Sequence, residues 1–226
     1  MITPVYLERG TKKVFACAPQ WPGWCRSGRT DEAALEALAA YVPRYAVVAE
    51  QAGIMFPADA GGGFRITERL PGSMTTDFGA PGGIAASDSA PMDAEEAQRT
   101  AALVASAWTL LDSVVDTAPA ALRKGPRGGG RDRDAMVDHV LGAEAAYARK
   151  LGLRHRQPAL ADAVAIAALR EAILAVVGAP SDGAPPVAKG WPVRYAARRI
   201  AWHVLDHAWE MQDRAHGGSP RAVLMK

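Results

Sequence analysis

Arg198–Arg214 reads RRIAWHVLDHAWEMQDR and places two of the chain's five histidines, His203 and His207, four residues apart among apolar side chains. Apolar residues recur at helical spacing through this stretch, which predicts a helix from Pro192 to about His216. Residues four apart on a helix differ by only about 40° around its axis, and their Cβ atoms stand roughly 5–6 Å apart. Two imidazoles so placed can reach one divalent ion at about 2.0–2.2 Å each. Ala196, Arg199, Ile200, Met211 and Arg214 share the stripe, so the pair lies on a buried seam with guanidinium groups at its rim. Trp202 and Trp209 read as core. The pair alone equally describes two core histidines with hydrogen-bond partners, because holding an exchangeable ion takes a third ligand.

His139, in AMVDHVLGAEAAY, is the candidate third ligand, on a helical face with Met136, Ala143 and Tyr147. Helical bundles build metal sites from a pair on one helix and single ligands from another. Asp138 and Asp206 each precede a candidate ligand, but adjacent helical residues point about 100° apart, which makes them poor partners for those imidazoles. His155 and His216 read as exposed.

Working back from this helix, three more are expected. Asp93 and Glu96 form a capping-box pattern that opens a helix in which Leu103, Ala107, Leu110, Leu111, Val114 and Val115 make one stripe. GPRGGG interrupts the chain, RDRDAMVDHVLGAEAAYARKLG supplies the next helix, and PALADAVAIAALREAILAVVG the one after it. Four helices joined by turns predict an antiparallel four-helix bundle over residues 93–226.

The first 72 residues have another character. VYLERG and KKVFACAP read as strands, WPGWCRSG as a loop with room for a third, TDEAALEALAAYV as a Thr-capped helix and FRITERL as a strand. Pro43 should end or kink that helix, and RYAVVAEQAG can restart it. Residues 73–92, rich in Gly, Ser, Ala and Pro, read as a linker or long surface loop. The expected class is α+β: a small sheet-plus-helix module followed by the bundle.

Composition narrows the partners. A formal charge of +2 and no long basic run argue against nucleic acid or an acidic membrane. No apolar run approaches a membrane span, and the N-terminus has no signal architecture, so a cytoplasmic protein is expected. Cys17 and Cys25 fit neither a CxxC motif nor a disulfide framework and read as structural thiols.

The ordered segments AMVDHVLGAEAAYARKLG and RRIAWHVLDHAWEMQDR, after AWTLLDSVVDTAPAAL, resemble the DinB-like superfamily of four-helix bundles, which includes mycothiol- and bacillithiol-dependent transferases. The likeness covers roughly residues 93–216. It implies one divalent ion held by His139, His203 and His207, and HAWE at 207–210 is similar to the signature of the mycothiol branch. Many members carry a further histidine four residues along, where this chain has Met211. PQWPGWCRSGRTDEAALEAL resembles, less extensively, the strand–loop–helix core of HicB-like antitoxins, which implies a module that packs on the bundle or forms a homodimer interface.

Three neutral imidazoles accept zinc, nickel, iron or copper. The resemblance implies a metal-dependent S-transferase or isomerase that uses mycothiol or another low-molecular-weight thiol on a small electrophilic substrate. In that reading Arg199 and Arg214 hold anionic groups, and Glu210 acts as a base or as an acceptor behind a ligand. An ordinary ion pair is the competing reading for each of these three. The competing reading for the whole chain is a non-catalytic metal-binding bundle joined to an antitoxin-like interaction module.

Overall fold

The computed structural model describes residues 1–124 and 129–215. Gly125–Gly128 of the expected break, and His216, lie outside the described residues. The chain is mixed α and β, with strands β1 (Thr3–Arg9), β2 (Val14–Cys17), β3 (Cys25–Gly28) and β4 (Phe64–Pro71). The helices are α1 (Asp31–Ala40), α2 (Val42–Gln51), α3 (Met74–Phe78), α4 (Ala94–Thr117), α5 (Arg133–Lys150), α6 (Ala163–Val177) and α7 (Val193–Ala215).

The sheet order is β3-β2-β1-β4, with β1–β2 and β2–β3 antiparallel and β1–β4 parallel. The third strand does lie in the WPGWCRSG segment. Side chains alternate across a strand, and here both faces are covered. Val5, Leu7, Val14 and Ala16 join the main core with Ala34 and Leu38 of α1. Tyr6, Phe15, Cys17 and Cys25 face the other way, against Trp202 of α7 and Ala85.

Thr30 caps α1 by accepting from the Ala33 N–H. That helix ends at Ala40, and Pro43 then sits in the first turn of α2, where its missing N–H costs nothing. Asp93 caps α4 by accepting from the Glu96 N–H, but the capping box is half made. The Glu96 carboxylate is taken instead by Arg194 of α7, whose guanidinium grips it through two nitrogens. α6 starts later than PALADA suggests, because Asp162 rather than Pro158 sets its N-terminus by accepting from the Ala165 N–H.

The four long helices α4–α7 pack on one another, and α4 and α7 lie along each other. One apolar core runs from Val5 and Leu7 of the sheet through Val104, Ala107 and Leu111 of α4 to Ile200, Leu205 and Met211 of α7.

Residues 73–92 differ most from expectation. They contain α3 and a 3-10 turn at Ala86–Ser89, and although much of the segment is exposed it forms a strap anchored at buried Thr76, Ala85, Asp88 and Met92. Glu8 of β1, buried, accepts from Thr76 Oγ1 and from the Gly82 and Gly83 N–H groups. A Cβ at Gly83 would come within 3.0 Å of Glu8 Oε2, so glycine lets the strap approach that close. Asp88 in the 3-10 turn, also buried, accepts from the Arg198 guanidinium of α7.

Candidate metal centre

His139 lies in the second turn of α5, and His203 and His207 lie mid-way along α7. Asp134 near the start of α5 and Arg149 and Lys150 in its last turn complement the helix dipole. α7 carries an almost unbroken buried face that includes Ala196, Ile200, Val204, Leu205 and Met211. Packing α5 against that helix brings the three imidazoles together.

Nitrogen atoms from all three rings lie within 4.8 Å of one another. His139 Nε2 and His203 Nε2 are 3.2 Å apart. Ring centroids are separated by 5.0 Å (139–203), 5.0 Å (139–207) and 4.7 Å (203–207). Two nitrogens bound to one tetrahedral zinc at about 2.0–2.1 Å each stand roughly 3.3 Å apart, so the His139–His203 spacing suits a shared cation, with His207 within 4.8 Å.

Solvation differs around the cluster. His203 is the floor, 7% exposed, with Tyr147 and Trp202 rings at 5.8 and 6.2 Å. Burial first, then the neighbouring His207 and His139, holds its pKa well below the ordinary imidazole value. His139, half-buried, is shifted the same way by desolvation and by Arg131. Both rings are therefore held neutral, the form in which imidazole ligates. Among the described residues, buried His203 Nδ1 has no hydrogen-bond partner. An orphaned buried nitrogen is the sort of cost that proteins tolerate at functional sites.

Glu210 stands behind His207, with Oε2 3.2 Å from Nδ1, while its Oε1 accepts from Arg214. The hydrogen bonds from His207 and Arg214 lower the Glu210 pKa, so it is a carboxylate. This pairing commits His207 Nδ1 to Glu210 and leaves Nε2 free toward the other rings. Arg214 also donates from Nε to the Arg123 carbonyl. Arg199 donates to the Pro81 carbonyl at 2.8 Å and lies over the Trp202 and Tyr147 rings, adding positive field at His203.

Asp138 accepts from Gln157 and Asp206 pairs with Arg26, and among the described residues neither hydrogen-bonds an imidazole. Trp202 and Trp209 are buried, and Met211 is fully enclosed in the core. His155, expected to be exposed, is half-buried in the loop after α5 and outside the cluster. Two neighbours of the site carried weaker signals. Tyr147, two turns beyond His139, was legible only as a member of the same face, and Arg131, ahead of α5, belongs to no periodic pattern.

Fold and site thus define a mixed α and β protein with three convergent imidazoles, one of them backed by a carboxylate. No family model, no curated protein and no solved structure matches the chain.

Proposed function

We propose that His139, His203 and His207 hold one divalent metal ion, and that the chain is a metal-dependent enzyme of the DinB-like kind. In this reading α4–α7 form that superfamily's bundle, and the sheet with α1 is a HicB-like module reused as packing. The single observation that carries the reading is the meeting of three imidazole nitrogens, from two helices, within 4.8 Å.

An ion bound by three neutral ligands keeps its full double charge and acidifies a thiol or water that binds beside it. The chain's own residues do the rest. Glu210 accepts the proton-bearing Nδ1 of His207 and so fixes that ring's tautomer and direction. Arg214 fixes Glu210 in turn. Arg199 and Arg131 supply positive potential at the cluster, which favours an anionic thiolate and acidic substrate groups. The reaction class is S-transfer or isomerisation of a small electrophile, dependent on mycothiol or a similar thiol.

Protein prepared without a histidine tag should contain about one divalent ion per chain by elemental analysis. His207→Ala should abolish it, and full metal content in that variant would remove the ligand set. Metal-loaded protein should consume mycothiol or glutathione in the presence of electrophiles. No consumption by a fully loaded sample would leave the metal site and discard the transferase.

A further inference from the structure

Cys17 and Cys25 take no part in that reading. They stand opposite each other in the antiparallel pairing of β2 and β3. One position further, the Ala18 N–H donates to the Trp24 carbonyl. Hydrogen-bonded and non-hydrogen-bonded pairs alternate along such a ladder, so Cys17 and Cys25 form a non-hydrogen-bonded pair. There Cα atoms approach to about 4.5 Å and side chains stand closest. Both side chains point to the same face, and their sulfurs are 2.6 Å apart. Disulfides span Cα separations of about 4.4–6.8 Å, so this hairpin admits the bond without moving its backbone.

The surroundings fix that register. Gly23, at φ +92°, turns the chain between the two cysteines, and a Cβ there would stand 2.5 Å from Leu205 Cδ1 of α7. Helix α7 therefore presses on the turn. Trp202 from the same helix meets Phe15 edge-on at 6.0 Å beside the thiols. Cys17 is 1% exposed and Cys25 5%, and the cavity they border with Pro81, Tyr195, Arg199 and Trp202 has a volume of only about 10 Å³, so a small disulfide reaches the sulfurs when the turn between them opens locally.

We propose that Cys17 and Cys25 are a dithiol–disulfide site, oxidised by low-molecular-weight disulfides and reduced again by the corresponding thiols. The Cys25 thiolate attacks one sulfur of RS–SR and expels RS⁻, leaving a mixed disulfide. The Cys17 thiolate then attacks the Cys25 sulfur, closes the intrachain bond and expels the second RS⁻. Two electrons pass from the cysteines to the small disulfide, and the two protons they lose end on the two RSH released. Burial raises the Cys25 thiol well above its ordinary range, so the exchange is slow near neutrality and accelerates with alkali.

The test incubates the full-length protein with excess oxidised glutathione at about pH 8.5, quenches it in acid, alkylates it under denaturing conditions and weighs it. The expected product has lost two hydrogens, takes up no alkylating agent, yields a Cys17–Cys25 linked peptide, and reverts with dithiothreitol. Its melting temperature should rise by about 5 °C over the reduced protein. Cys17→Ser should stop at a glutathione adduct on Cys25. Should that variant fail to fold, the wild-type mass decides. Full alkylation of both thiols after the incubation, or an adduct that never resolves into the intrachain bond, overturns the proposal.

Discussion

His203 shows how a single residue can cost the fold something and give the site something. Its ring is buried, its Nδ1 has no partner among the described residues, and its pKa is driven well below the ordinary imidazole value. A buried polar atom left unpaired costs about 1–3 kcal/mol. Replacing this ring with a branched apolar one of similar size removes that cost together with the ligand. His203→Leu should therefore lose the metal while the metal-free protein unfolds at an equal or higher denaturant concentration. A clear loss of metal-free stability would mean that His203 is an ordinary, satisfied core residue. The pH dependence follows from the same depression. Between the depressed folded pKa and the unfolded value of about 6.5, the unfolded chain binds a proton that the folded chain does not. Stability contributed by neutral His203 is thus complete above about pH 6.5 and is lost as pH falls through the folded value. Urea titrations of metal-free protein between about pH 7 and 5 should show this decline, and His203→Leu should make it shallower, leaving the part that His139 contributes.

At the scale of elements, the strap is held by buried charge. Arg198 of α7 and Asp88 of the 3-10 turn are both buried, and Arg198 also donates to the Tyr6 hydroxyl of β1. Removing one partner of a buried ion pair strands the other and costs about 3–5 kcal/mol. Asp88→Ala should lower the unfolding free energy by that much, read from denaturant melts, whereas Ser87→Ala, on the exposed side of the same turn, should cost little. This strap is also where reading from sequence stopped. Strands β1, β2 and β4 and helices α4–α7 were legible because their apolar residues repeat at period 2 or 3.6. The His203–His207 pair and its facing partner on α5, His139, were legible for the same reason, since a helical face can be counted along the chain. Residues 73–92 have no period, and their order comes from Glu8 and Asp88, which find partners 74 and 110 positions away in sequence. Nothing local marks either carboxylate as buried. Likewise Glu96 looked like half of a capping box until Arg194, 98 positions on, claimed it. The half-formed cap and the ordered strap share that cause: long-range guanidinium and backbone partners outcompete the local pattern.

At the scale of the molecule, α7 lies between two layers. Trp202 packs on the sheet, while His203 and His207 on the same helix meet α5, and the core is continuous from β1 to Met211. Because the three clustered imidazoles come from α5 and α7, an ion held by them would tie together two helices that unfold with the shared core, and binding would act on global stability. At a free metal concentration one hundred times the dissociation constant, linkage supplies about 2.7 kcal/mol. For a chain of this size that corresponds to a rise in melting temperature of about 5–10 °C. Calorimetry with zinc should show one transition that moves upward as a whole, and His139→Ala should abolish the shift. Two separate transitions, only one of them responsive to zinc, would show that the sheet and the long helices unfold independently despite their common core. The helix bearing the pair would then be anchored to its own layer alone.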